Sequence, residues 1–201
     1  MRFKAKFTAD GTDQLEKRFL PAMEKFGKTI QVLLSEEEVK LVQTPLDTDG
    51  AQVMASFPIE ALFDRSSYRC TSRHHNLIAF VADVGLLLKV IRTAAANVAE
   101  EGLEVKLSQK EFQVTGTEES EAKPFLVFKG EGQTMSILQE LPISKPYTAE
   151  EIDHLVNLAT TASLAPYYVD VGPCSTTLLA MIDRMKSVSG TLMMARMVMC
   201  M

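Results

Sequence analysis

Cysteine and histidine are scarce in this chain, and the scarcity narrows its chemistry. Cys70, Cys174 and Cys200 stand far apart, with neither a CxxC pair nor a companion histidine cluster. An odd, dispersed set supports no disulfide framework and reads as buried, reduced thiols. His74 and His75 are adjacent, but they sit in the polar run SSYRCTSRHHN (66–76), which reads as a solvated loop. A zinc site there would need further ligands at suitable spacing, and only His154 and the distant cysteines remain.

Other absences exclude whole classes. No window approaches about 18 uncharged apolar residues, so no membrane-spanning helix is expected. The opening MRFKAKFTADG alternates charge and apolarity instead of building a secretory signal core. Asn76, Asn97 and Asn157 all lack Ser or Thr two positions on, so there is no glycosylation sequon. GKT at 27–29 resembles the end of a phosphate-binding loop, yet Ala22 stands where the first glycine belongs and the segment leaves a helix instead of entering one. GEG at 130–132 lacks a third glycine and a following helix. GxSxG, HExxH and paired carboxylates in an apolar setting are all missing. Glu60, Asp64 and Asp83 read as cap and turn residues. No catalytic constellation, cofactor site or metal site is expected.

What is present is a repeated unit. A strand–helix–strand pattern runs through RFKAKF (2–7), a helix from Thr12 to about Phe26, and KTIQVLL (28–34). It returns in NLIAFVA (76–82), a helix from about Val84 to Glu100, and LEVKLS (103–108). A third copy runs through YYVDV (167–171), a helix from about Ser175 to Ser187, and TLMMARM (191–197). The segments EVKLVQT, AQVMASF, FLVFKG and SILQELPIS add further strands, separated by turn-like DTDG and GTEESEAK. Residues 1–145 are therefore expected to form an α+β domain, a mostly antiparallel sheet with two helices on one face. Residues 146–165 read as a connector, with a capping box at Thr148 and Glu151 and a helical stripe of Ile152, Leu155, Val156 and Ala159. Residues 166–201 read as the start of a second domain. TLMMARMVMCM (191–201) enters a strand and ends without turn, partner strand or polar cap, so that domain is expected to be truncated.

Formal net charge is −5, with a pI near 5.3, so bulk electrostatics do not advertise nucleic-acid binding. Position matters more than the sum. At about 100° per residue, Leu15, Phe19, Ala22, Met23 and Phe26 form the buried stripe of the first helix. Lys17, Lys25 and Lys28 fall opposite, with Arg18 on the flank, Glu24 on the same face and Asp13 at its border. Pro21 is expected to bend this helix. On the second helix Leu87, Ile91, Ala94 and Val98 are buried, and Lys89 and Arg92 lie outward. The third buries Leu178, Met181, Ile182 and Met185, and exposes Arg184 beside Asp183. A surface that is basic along its helices, in an acidic protein, suits phosphate contacts without base readout.

NLIAFVADVGLLLKVIRTA (76–94) resembles the strand-and-helix centre of a sliding-clamp domain, as in proliferating cell nuclear antigen. GTDQLEKRFLPAMEKFGKTIQV (11–32) resembles the first channel helix of that fold. MRFKAK (1–6), LQELPISKP (138–146) and LLAMIDRMKSV (178–188) are most similar to the Hus-type subunit of the heterotrimeric nine-one-one DNA-damage checkpoint clamp. The resemblance runs along essentially the whole chain through loose patterns. It implies a nuclear, non-enzymatic subunit that joins two other clamp subunits, is placed by a clamp loader, encircles double-stranded DNA through non-specific phosphate contacts and recruits checkpoint and repair factors. By position it assigns Lys17 and Arg18 to the basic pair of the first channel helix, Lys89 and Arg92 to that of the second, and Arg184 to the second domain. Lys25 and Lys28 rest on the residue reading alone. It also implies a partner-peptide groove beside the connector, for which Leu46, Val53, Leu141 and Ile143 are candidates. A complete subunit would continue past Met201, so ring closure by this chain is not expected. The competing readings are a small α+β ligand-binding or regulatory domain with no DNA role, and an enzyme using Cys70 or His75.

Overall fold

The computed structural model describes residues 1–44, 52–95, 102–113, 120–131, 136–162 and 172–186. The chain divides into two compact units, Met1–Thr160 and Thr161–Met201. The first unit opens with β1 (Arg2–Lys6), α1 (Ala9–Gln14), a π-helical turn (Leu15–Phe19) and α2 (Leu20–Met23). There follow β2 (Thr29–Leu34), β3 (Glu38–Gln43), β4 (Val53–Pro58), α3 (Ile59–Leu62), β5 (Arg69–Thr71) and β6 (Ile78–Asp83). Next come α4 (Val84–Ala95), β7 (Leu103–Gln113), β8 (Ser120–Glu131), β9 (Ser136–Pro142) and α5 (Ala149–Ala162).

The strands form two antiparallel sheets, not one: five strands in the order β5-β1-β7-β8-β9 and four in the order β4-β3-β2-β6. Period-two alternation sends Phe3 and Ala5 of β1 into the main core, where they meet Leu103, Val105, Leu126, Phe128 and Leu141 from neighbouring strands. The four-stranded sheet is covered on both faces, which explains its nearly continuous apolar runs. Val32 and Leu34 of β2 face the main core, while Leu33 between them faces a second core with Val42, Ala79, Ile152 and Leu155.

α5 supplies the cover on that second face. Its capping box is made: the Thr148 N–H donates to Glu151 Oε2 at 2.7 Å, and the Glu151 N–H donates to Thr148 Oγ1 at 3.4 Å. Ile152, Leu155 and Ala159 are buried and Val156 is half-buried, as the sequence pattern predicts. The chain reaches α5 by running along the β6 edge, where the Ser144 N–H donates to the Val81 carbonyl and the Tyr147 N–H donates to the Ala79 carbonyl.

Of the second unit, the described residues beyond the end of α5 are a 3₁₀ turn (Gly172–Cys174) and α6 (Ser175–Lys186). Leu178, Ile182 and Met185 are half-buried, but Met181, expected inside, is 52% exposed. Cys174, also expected inside, is exposed in the turn that leads into the helix. Cys200 and the strands read at 167–171 and 191–197 lie outside the described residues.

Candidate nucleic-acid interface

The first basic helix begins earlier than its sequence pattern suggests. Thr8 is the N-cap, and its hydroxyl accepts a hydrogen bond from the Gly11 N–H at 3.0 Å. Gly11 is required by close approach: a Cβ there would lie 2.3 Å from the Leu62 carbonyl oxygen of α3. The helix then widens. The Leu20 N–H bonds to the Leu15 carbonyl, five residues back instead of four. The wide turn ends just ahead of Pro21, whose ring would collide with the carbonyl four residues back in a regular helix.

That extra residue changes which side chains face inward. One inserted residue rotates everything beyond it by about 100°. Leu15 and Met23 are buried as expected and Phe19 is half-buried, edge-on to Phe57 at 4.6 Å. Leu20, which the regular pattern leaves out, is 0% exposed, whereas Ala22 and Phe26 are exposed. The expected bend at Pro21 is thus a π turn; Ala22 leaves the predicted stripe, and Phe26 leaves it because the helix ends at Met23.

The second basic helix follows its pattern. Asp83 caps α4 by accepting the Leu86 N–H at 2.8 Å. Val84, Leu87, Leu88, Ile91 and Ala94 are buried, while Lys89 and Arg92 are exposed. Val98 lies outside the described residues. The two helices lie side by side, bridged at the surface where Arg92 Nε stands 3.9 Å from Glu16 Oε1.

Lys17, Arg18, Lys25 and Lys28 are exposed along the first helix and the turn that follows it. Lys17 pairs with Asp13 at 2.6 Å, one helical turn away, and this hydrogen bond holds its ammonium above the usual lysine range. Both partners are solvated, so the pair contributes little to stability. Among the described residues, Arg18, Lys25, Lys28 and Lys89 make no ion pair. Their side chains are therefore available to a phosphate. Arg184 is exposed on α6, in the second unit.

The turn joining the first helix to β2 is held from two sides. Gln43, 5% exposed on β3, donates from Nε2 to the Gly27 and Thr29 carbonyls, each at 3.1 Å. The Lys28 carbonyl between them accepts the Val84 N–H at the start of α4, at 2.9 Å. Three consecutive carbonyls are thus tied to the sheet and to the second helix. The sequence carried no signal for this, because Gln43 reads as an ordinary strand residue.

The expected peptide groove is not assembled by the residues chosen for it. Leu141 is 1% exposed inside the main core, and strand register explains why: it pairs with Leu126 beneath the helices. Val53 starts β4 and Ile143 bridges Ala82 beyond β6, so they occupy opposite edges of the four-stranded sheet. Four inter-strand steps separate them, about 19 Å at the usual strand spacing. Leu46 lies outside the described residues.

The residues considered for chemistry have structural roles. Asp64 accepts hydrogen bonds from the Ser66 hydroxyl and N–H, which hold its carboxyl below the usual range, and Glu60 lies 3.8 Å from Arg65. Cys70 is buried in β5, a strand hidden within the polar run, and its thiol donates to the Asn76 carbonyl at 3.1 Å. Burial pushes its pKa up to about 11, which suppresses the thiolate a nucleophile needs. His74 and His75 are exposed, and His75 and Asn76 take positive φ in a tight turn.

No curated protein matches this chain by sequence. The family model for Hus1-like protein matches residues 1–198. The two antiparallel sheets with helices packed side by side agree with the clamp fold that this family implies. The chain belongs to the Hus1-like family, the Hus-type subunits of the heterotrimeric nine-one-one checkpoint clamp.

Proposed function

We propose that this chain acts as a non-catalytic subunit of a nuclear, DNA-encircling clamp that a clamp loader places at damaged DNA, where it recruits checkpoint and repair factors. In this reading residues 1–145 are the first clamp domain, 146–165 the connector, and 166–201 belong to the second domain. Family membership supplies the clamp assignment and its association with other subunits.

One observation carries the DNA reading. Two helices from separate strand–helix–strand units lie against each other and expose Lys17, Arg18, Lys89 and Arg92, in a chain whose net charge is −5. Lys25 and Lys28 extend this surface; Arg184, on α6 of the second unit, is proposed separately as a phosphate contact. The chemistry is electrostatic: ammonium and guanidinium groups replace the counterions of phosphates, with no base edge read. Such contacts are weak individually, which suits a ring that must slide.

The reading is tested with the chain assembled with its two partner subunits and loaded on DNA. Retention on closed circular DNA at high salt, followed by release when the circle is cut, is the expected result. Equal retention on circular and linear DNA, or loss from both at high salt, would remove the encircling mechanism.

A further inference from the structure

We infer that Phe26 is a stacking platform for an unpaired base, so that this clamp face distinguishes gapped or frayed DNA from intact duplex. The inference rests on the proposed DNA contact of the basic helices and goes beyond it, since phosphate contacts alone carry no such preference.

Phe26 is 61% exposed, although a regular helix would bury it with Phe19 and Met23. The helix ends at Met23, and Phe26 stands in the turn that follows it. Exposed apolar side chains are common singly, and exposure alone means little. Two further facts set Phe26 apart. Lys25 and Lys28, both exposed and without an ion-pair partner among the described residues, flank it in the chain. Its backbone is also fixed: its N–H donates to the Met23 carbonyl at 2.9 Å, and the turn immediately after it is gripped by Gln43 and by the Val84 N–H.

Holding that turn is costly. Gln43 Oε1 is buried with no hydrogen-bond partner among the described residues, and an unmet buried acceptor is destabilising. The result is an aromatic ring on a restrained backbone, with a cation on either side of it in the chain. That combination suits single-stranded nucleic acid, with cations on the phosphates and a ring under the base. Glu24, exposed and close by in the chain, disfavours a second phosphate and keeps the contact local. In intact duplex the bases are stacked on each other and offer no free face. At a gap or junction one base is available.

The chain contains no tryptophan, so Phe26→Trp gives it one indole, whose signal is read as the difference from a complex carrying the parent chain. With the assembled complex, its emission should be quenched by a duplex carrying a short single-stranded gap and remain unchanged with intact duplex of the same length. Phe26→Ala should bring the gapped-to-intact affinity ratio close to one, from a starting ratio between about 5-fold and 100-fold, while intact-duplex affinity stays the same. Equal quenching by both DNAs, or an unchanged ratio in Phe26→Ala, would overturn the inference. So would an emission change on adding the partner subunits alone, which would assign the ring to a protein contact. If reversing Lys89 and Arg92 to glutamate leaves duplex affinity unchanged, the DNA reading itself fails. If that reversal weakens duplex binding while the indole stays silent, only the stacking site is lost.

Discussion

The two basic helices of the first unit come from the same strand–helix–strand pattern, yet they are built differently. α4 is a continuous helix whose buried and exposed faces follow from a period of 3.6. Its partner is α1, a π turn and α2 in succession, with the π turn just ahead of Pro21. The regular helix presents Lys89 and Arg92 as a simple outward pair. The irregular one presents Lys17 tied to Asp13, an exposed Arg18, and beyond its end a restrained turn with Lys25, Phe26 and Lys28. A regular helix thus supplies a uniform cationic face, and an irregular one can supply a shaped one.

The largest effects are expected at Gly11 and Leu20. Gly11→Ala drives a Cβ into the Leu62 backbone, which cannot move without displacing α3. A loss of about 3 kcal/mol is expected, read as a fall in the denaturant midpoint. Leu20→Ala, in a site with no exposure, should cost about 2–5 kcal/mol, whereas Phe26→Ala should cost less than about 0.5 kcal/mol. A regular first helix predicts the reverse order, so this pair of chemical denaturation curves tests the π turn directly.

Smaller effects separate the two arms further. At Gly85, in the first turn of α4, an added Cβ would meet only the carboxylate ends of Glu24 and Asp83, at 3.2 and 3.4 Å. Glu24 can swing away, so Gly85→Ala should raise stability by about 0.5 kcal/mol through helix propensity, the opposite sign to Gly11→Ala. Asp13→Ala and Glu16→Ala release Lys17 and Arg92 from their acids. Thermal midpoints should barely move, while duplex affinity rises by up to about fivefold in a low-salt titration.

Periodicity read the second helix well because its packing is ordinary. Leu87, Ile91 and Ala94 are buried, Lys89 and Arg92 are out, and Asp83 caps. The first helix was legible in composition but not in register. Pro21 signalled a disturbance, but a bend and an inserted residue leave the same mark in a sequence, and only the second turns Leu20 inward; the helix end at Met23, which puts Phe26 outside, had no signal of its own. Alternation identified most strands, yet it says which face a residue takes, not which sheet a strand joins, so the two-sheet division was invisible. β5 escaped notice because only Cys70 of its three residues turns inward. Gln43 shows the deeper limit, since its role depends on carbonyls 14 and 16 residues away in the chain.

Whether these helices touch phosphate can be read from the salt dependence of duplex affinity. For the assembled complex, replacing Lys89 and Arg92 together with alanine should flatten the plot of log affinity against log salt by about 1 to 2 in slope, with folding intact. Parallel lines for parent and variant would contradict the account, because they would mean that no counterion is released at these two side chains.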